Sequence, residues 1–214
     1  GSGLLVWRIG KDGKLLSATQ LPVEQSAYLH SFAMTERHLV FVLMPFRRTE
    51  GGAFFESLRF APDLPCKVAV VPKSAPDTAH WFEVDFAAIY HFGDAFERDG
   101  RIQVRAVRHT DPVGAGSPMA GAMRGEQEQA PTSGHLRTLH LDLRSGRARW
   151  ELHARHVMEF PLFDTRTRGD RPALLYAPTE VDPAVPYFNA VMAFDPERDR
   201  RKVHRYGDQI LAEE

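Results

Sequence analysis

Short runs in which apolar and polar residues alternate dominate the chain, and turn signals separate them. The run L-L-V-W-R-I near the start is followed by an Asp-Gly pair at 12–13, a dipeptide that closes β-hairpins. A second Asp-Gly pair, at 99–100, precedes the alternating run R-I-Q-V-R-A-V. Further strands are predicted at residues 39–43, 67–71, 81–84, 139–143, 149–152, 173–176 and 190–194.

No stretch sustains a helical period for three turns, so the pattern predicts an all-β fold. The short spacing between turn signals is typical of sandwiches, barrels and propellers. Residues 111–134 differ, because they are rich in Gly, Pro, Ala and polar residues. We interpret them as a long loop between strands of one domain that spans residues 1–214.

Composition limits the classes of partner. The 27 Lys and Arg residues nearly balance the 28 Asp and Glu residues, whereas nucleic-acid binders usually carry a basic excess. With 43% hydrophobic residues the chain is expected to be globular. It shows neither a long apolar run nor a signal-peptide pattern, which favours the cytoplasm. The chain enters a strand almost at once and stops abruptly, so we expect both ends to be truncated.

Ten histidines are present, and two of them lie in strongly apolar surroundings. His30 lies in Y-L-H-S-F-A-M-T-E and His91 in A-I-Y-H-F-G-D-A-F-E. Burial there would keep both rings neutral, and neutral imidazole is a ligand for Fe, Zn, Cu or Ni. The alternative is that each is a core residue with its hydrogen bonds satisfied. His38, His109, His140 and His204 lie among polar residues and are interpreted as surface positions.

Three segments together resemble the carotenoid cleavage oxygenases. They are H-S-F-A-M-T-E-R-H-L-V-F-V-L-M-P, I-Y-H-F-G-D-A-F-E-R-D-G and H-V-M-E-F-P, and they follow one another in this order over most of the chain. This family includes lignostilbene-cleaving dioxygenases and the retinal pigment epithelium isomerohydrolase. One departure is Asp94, which stands where many relatives have Asn.

The resemblance implies a seven-bladed β-propeller with an Fe(II) ion on its axis, held by four histidines. His30 matches the second ligand, His91 the third, and Glu159 a carboxylate that accepts a hydrogen bond from the third histidine. Such a carboxylate fixes the tautomer of the ring and raises its basicity. The first and fourth histidines have no counterpart among the 214 residues. At about 40–50 residues per blade, the chain would form four or five blades.

The resemblance also implies an activity, which is the oxidative cleavage of a conjugated C=C bond by O₂ into two carbonyl products. The substrate would be an apolar carotenoid, apocarotenoid or stilbene-like compound, and no catalytic residue is expected beyond the metal site. Two alternatives stay open, namely a retinyl-ester isomerase-hydrolase and a binding fragment that does no chemistry. The 214 residues alone are expected to be inactive, and peripheral contact with a membrane is left open.

Overall fold

The computed structural model describes residues 3–24, 27–48, 58–109, 134–167, 169, 171–180 and 188–206. Within these ranges the chain forms sixteen β-strands in four antiparallel sheets, with one short 3-10 helix. The prediction of an all-β fold is therefore confirmed. Among the same residues, no helix is both long enough and apolar enough to cross a membrane.

The first sheet is a hairpin of β1 (Gly3–Ile9) and β2 (Leu15–Pro22), as the first Asp-Gly pair predicts. Gly13 in the turn has a φ of 80°, a left-handed conformation that glycine adopts without steric cost. Leu4 packs toward the second sheet, whereas Trp7 on the other face of β1 is exposed.

The second sheet contains β3 (Ala27–Tyr28), β4 (Ala33–Met34), β5 (His38–Arg48), β6 (Leu58–Phe60), β7 (Cys66–Pro72) and β8 (His80–Val84). β5 pairs with β3, β4, β6 and β7, and β8 pairs with β7. β5 is buried on both faces, because Val40 and Val42 pack toward the third sheet while Phe41 and Leu43 pack toward the hairpin. This double burial explains why its sequence is continuously apolar instead of alternating.

The third sheet is a meander of β9 (Ala88–Arg98), β10 (Arg101–His109), β11 (His135–Asp142) and β12 (Arg147–Val157). Asp99 and Gly100 join β9 to β10 with φ values of 52° and 75°. Positive φ at both central residues is the type I′ geometry that suits a twisted hairpin. The second predicted turn is thereby confirmed.

The fourth sheet is a meander of β13 (Leu162–Phe163), β14 (Leu175–Thr179), β15 (Ala190–Asp195) and β16 (Arg200–Arg205), and the 3-10 helix (Thr165–Thr167) lies between its first two strands. β16 was not predicted, because R-R-K-V-H-R lacks an apolar alternation. Only Val203 in this strand is partly buried, and it lies opposite Met192 of β15. Pairing with β15 therefore defines this strand more than its own composition does.

Each sheet packs against the next one along the chain. The largest core cluster joins β5, β7 and β8 to β9, β10 and β11, and includes Val42, Val70 and Ile102. A second cluster joins the third sheet to the fourth, for example through Leu136 and Phe194. Consecutive four-stranded meanders that pack face to face are the arrangement of propeller blades.

A buried ion pair lies between β9 and β10. Nη1 of Arg105 donates to both oxygens of Asp94, at 2.9 and 2.7 Å, and both side chains are at most 3% exposed. The amide of Ala173 donates to the same carboxylate, at 2.8 Å. The alternation of apolar and polar residues in R-I-Q-V-R-A-V places Arg105 with Gln103 on the polar face of β10, yet Arg105 is buried. Asp94 explains this difference, because it neutralises the charge that burial would otherwise penalise.

A second polar cluster joins the second sheet to the third, and Glu97 of β9 lies at its centre. Its carboxylate accepts hydrogen bonds from Thr35, His38 and Arg37, with the Thr35 hydroxyl at 3.0 Å. His38 is thus half-buried in a contact between sheets instead of lying free on the surface. Burial raises the pKa of Glu97, but the hydrogen bonds from His38, Arg37 and Thr35 outweigh burial and lower it.

We expect Glu97→Gln to lower the free energy of unfolding at pH 7 by about 2 kcal/mol, since hydrogen bonds to a buried charge are lost. A carboxyl group whose pKa is lower in the folded protein stabilises the folded state fully when the pH is above its pKa in the unfolded chain. This stabilisation is lost as the pH falls through its pKa in the folded protein. The difference in free energy of unfolding between variant and parent should therefore shrink below pH 4.5, the ordinary pKa of a glutamate. Urea denaturation at several pH values measures this difference.

Glu83→Gln is the matched control, because Glu83 pairs with Lys67 at the surface of the second sheet. Exposed pairs contribute about 0–1 kcal/mol. An equal loss of stability in both variants would contradict the role assigned to Glu97.

The predicted long loop falls almost wholly outside the described residues, since only Gly134 of residues 111–134 is described. The prediction of one domain across residues 1–214 stays a prediction.

Candidate metal centre

The two histidines singled out from the sequence meet in the structure. His91 lies on β9, and His30 lies in the bend between β3 and β4. Their ring centroids are 5.2 Å apart, with the ring planes at 87°. The ring of Tyr90 lies 5.7 Å from that of His30. Two imidazoles from different sheets therefore converge at one point.

The surroundings of His30 differ from those expected. The sequence predicts a buried histidine within one continuous strand, whereas His30 is exposed and lies where the strand is interrupted. The bend breaks the alternation of faces, which turns the ring out of the core toward His91. Tyr28 Oη lies 3.1 Å from His30 Nδ1 and occupies that nitrogen.

Glu159 fixes the orientation of His91. Nδ1 of His91 lies 2.7 Å from Oε2 of Glu159. Because an ionised carboxylate only accepts hydrogen bonds, Nδ1 carries the ring proton and donates to Oε2. The proton on Nδ1 leaves the lone pair of Nε2 free for a metal. The structure thus brings together the three residues that the resemblance selects.

The backbone at Phe160 supports this arrangement. Its φ of 48° is unusual for a bulky residue, and such strain is common at functional sites. The amide of Phe160 donates to Oε2 of Glu159, at 2.7 Å, and the centroid of its ring lies 4.5 Å from that of His91. The amide of Glu159 donates to the carbonyl of Pro178 at 3.3 Å, which ties the segment to β14.

His109 is a residue of the site that the sequence interpretation missed. It was assigned to the surface, yet it is only 7% exposed. Its Nε2 donates to Oε1 of Glu159. Gly134 is needed beside it, because a Cβ there would lie 2.9 Å from Cε1 of His109. Val107, which lies two positions earlier on the same face of β10 and is apolar, was the one available signal that this position is also buried.

The carboxylate of Glu159 is ionised over the whole physiological range. Burial raises the pKa of Glu159, but the hydrogen bonds from His109 and His91 outweigh burial and lower it to about 2. A negative charge therefore lies directly behind His91, where it strengthens the ring as a donor toward a cation.

The two histidine side chains supply part of the ligand set that a divalent transition metal needs. Nε2 of His30 and Nε2 of His91 have no hydrogen-bond partner among the described residues, and neutral imidazoles suit iron. No cluster of three or more His, Cys, Asp or Glu side chains able to hold a metal occurs within the described ranges. Two imidazoles would hold an ion weakly, so a complete site needs further ligands.

Comparisons with known proteins show which sequences and folds this chain is similar to. The sequence model of the family described as retinal pigment epithelial membrane protein matches residues 2–214. Carotenoid 9,10(9′,10′)-cleavage dioxygenase 1 of Pisum sativum is 24% identical over 176 residues, covering 80% of this chain and 32% of its own length. Carotenoid cleavage oxygenase 1 of Neurospora crassa is 28% identical over 174 residues, covering 75% and 32%.

Solved structures show the same fold. Lignostilbene dioxygenase of Pseudomonas brassicacearum has a TM-score of 0.77 at 26% identity, covering 96% of this chain and 46% of its own. Cobalt-substituted apocarotenoid oxygenase of Synechocystis has a TM-score of 0.78 at 18% identity, covering 95% and 43%. The four sheets are therefore part of a seven-bladed β-propeller. The chain spans about a third of the length of the curated relatives it matches.

Proposed function

Because the chain belongs to the family of retinal pigment epithelial membrane protein, the carotenoid cleavage oxygenases, we propose that it forms part of a non-haem Fe(II) dioxygenase. In this proposal His30 and His91 bind the ion, and the enzyme cleaves a conjugated C=C bond into two carbonyl products. One oxygen atom of O₂ enters each product, so the reaction needs no further oxidant.

The convergence of His30 and His91 is the observation that supports the proposal most strongly. Their rings come from different sheets and lie 5.2 Å apart. In each ring Nδ1 is occupied by a protein partner, Tyr28 for His30 and Glu159 for His91. With the Nδ1 proton of His30 donated to Tyr28 Oη and that of His91 donated to Glu159, both rings would present the lone pair of Nε2 to the ion. The other ligands of the ion would come from outside the described residues.

The residues of this chain bind the ion and set its electrostatic surroundings. When bound, Fe(II) supplies the redox chemistry that lets O₂ react with an electron-rich double bond. His91 is held in one tautomer by Glu159, and Phe160 packs against its ring. Glu159 places a negative charge near an ion whose imidazole ligands are all neutral, and thereby compensates part of the ion's charge.

An apolar conjugated compound is the substrate that this proposal implies. Matching relatives are carotenoid cleavage dioxygenases, and one matching structure is a lignostilbene dioxygenase. Carotenoids, apocarotenoids and stilbenes share an extended conjugated system and few polar groups. Phe32, which is exposed, and Phe92, which is half-buried, lie near the two histidines in sequence and are candidates for contacts with such a molecule.

Incubation under ¹⁸O₂ tests the proposed reaction. Protein that carries these 214 residues is loaded with Fe(II) and given, in separate reactions, an apocarotenoid, a hydroxylated stilbene or a retinyl ester. The products are examined by mass spectrometry. The dioxygenase is expected to place label in both carbonyl products. Hydrolysis of a retinyl ester without labelled carbonyls would favour the isomerase-hydrolase, and binding of the compounds without turnover would favour a binding module.

A further inference from the structure

We propose that His109 is a positioning residue for the metal centre, acting through Glu159 on His91. By donating to one oxygen of the carboxylate, it would hold the other oxygen on His91 and so fix the tautomer in which Nε2 of His91 faces the ion. This inference rests on the proposed function, because it assigns a further residue to the same site.

The hydrogen bonds of Glu159 divide between its two oxygens. Oε2 accepts from His91 and from the amide of Phe160, both at 2.7 Å, whereas Oε1 accepts from His109. Rotation about the last side-chain bond of a glutamate has a broad energy minimum, so donors on one oxygen alone leave the carboxylate free to turn. A donor on each oxygen removes this freedom.

Burial makes the contribution of His109 hard to replace. Glu159 is 9% exposed and His109 is 7% exposed, so water has little access to Oε1. Leaving a buried acceptor without a hydrogen-bond donor costs about 1–3 kcal/mol of stability, and more when the acceptor is charged. Without His109 the carboxylate would relieve this cost by rotating or shifting, and its contact with His91 would change.

His109 is itself held in place. Its strand position pairs with Ala88 of β9, the ring lies 5.5 Å from that of Tyr90, and Gly134 lies close to Cε1. β9 and β10 thus form one hairpin that brings two histidines to a single carboxylate from the segment that follows β12. A residue that orients a metal ligand through a second side chain must itself be held rigidly, and these contacts hold His109 in this way.

Three variants separate positioning from packing. His109→Leu removes the donor but keeps a side chain of similar bulk, whereas His109→Gln keeps an N–H near the position of Nε2. His140→Leu is the matched control, since Nε2 of His140 lies 2.7 Å from Glu151 in another histidine–glutamate pair of the same sheet. Thermal unfolding of each variant shows whether it is folded.

The first measurement is the tautomer of His91, read from ¹H–¹⁵N correlations of the histidine rings at pH 8, above the ordinary histidine pKa of about 6.5. The parent protein should show the proton on Nδ1 of His91 and on Nε2 of His109. We expect mixed tautomers of His91 in His109→Leu, and the parental pattern in His109→Gln and His140→Leu. A His109 ring with its proton on Nδ1 in the parent would overturn the proposal, even if His109→Leu does not fold.

Two further results would also overturn it. One is a His91 signal in folded His109→Leu identical to that of the parent. The other is an equal change in His109→Leu and His109→Gln, which would make His109 a packing residue.

Titration with Co(II) distinguishes a failure of the positioning role of His109 from a failure of the proposed metal site. Apparent affinity, measured from paramagnetic broadening of the His91 ring signals, should fall about 10-fold in His109→Leu, as is usual when an outer partner of a metal ligand is lost. An unchanged affinity in that variant would count against the positioning role. If the parent takes up no Co(II), the proposed metal site fails, while the tautomer of His91 still decides the role of His109.

Discussion

His91→Ala, in protein that carries these 214 residues and supplies the remaining ligands, is expected to reduce cleavage of the double bond at least ~100-fold and to lower the iron content. Removing an outer partner of a metal ligand typically costs 10–100-fold, and removing the ligand itself should cost more. The variant also removes His91 as one of the two donors to Oε2 of Glu159 and leaves only the amide of Phe160. Steady-state turnover and iron analysis of parent and variant measure both effects.

His204→Ala provides the control, because His204 is exposed on β16 and contacts the ring of Tyr206, away from the metal centre. It should leave turnover and iron content unchanged. Added imidazole should restore part of the iron content of His91→Gly, since the missing ring can be supplied from solution. A His91→Ala protein that keeps its iron and turns over within about threefold of the parent would remove His91 from the ligand set.

Arg105→Met is expected to have the largest effect on stability, about 3–5 kcal/mol, since it leaves Asp94 charged and unpaired in the core. Removing both charges, in Asp94→Asn with Arg105→Met, should recover most of the loss because no buried charge then remains. Urea denaturation of the two variants and the parent gives the free energies. If the single and double variants are equally unstable, lost packing and not the charge is the cause.

The pair of Arg47 and Asp63 serves as the control for this experiment. Arg47 also donates to both oxygens of its partner, at 2.8 and 2.7 Å, but both side chains are more than half exposed. Arg47→Met should therefore cost only about 0–1 kcal/mol. A loss as large as that of Arg105→Met would show that burial is not what distinguishes the two pairs.

The fold could be predicted from the sequence wherever local signals and burial agree. The Asp-Gly turns at 12–13 and 99–100 form as predicted, because positive φ is a local requirement. β5 was recognisable because burial on both faces leaves a continuous apolar run. β16 was not, because pairing with β15 depends on residues elsewhere in the chain and not on its own alternation.

The candidate site was predicted in part. Apolar surroundings singled out His30 and His91, and the resemblance added Glu159. The structure brings the three together, although their role as a metal site stays a prediction. His109 was missed because its neighbours in sequence are polar, while the residues that enclose it, Gly134 and Glu159, are distant along the chain. The bend at His30 was missed because an apolar run does not show where a strand is interrupted.

The shared carboxylate of Glu159 has a consequence for the order of folding. His91 and His109 lie on one hairpin closed by a two-residue turn, and hairpins form in about 1–10 μs. Glu159 is 68 and 50 positions away from them, so it reaches them only after a much larger loop has closed. For that interval the nascent chain would offer imidazoles whose tautomers are not yet set. On the proposed function, an ion bound during that interval would be held by rings in mixed tautomers.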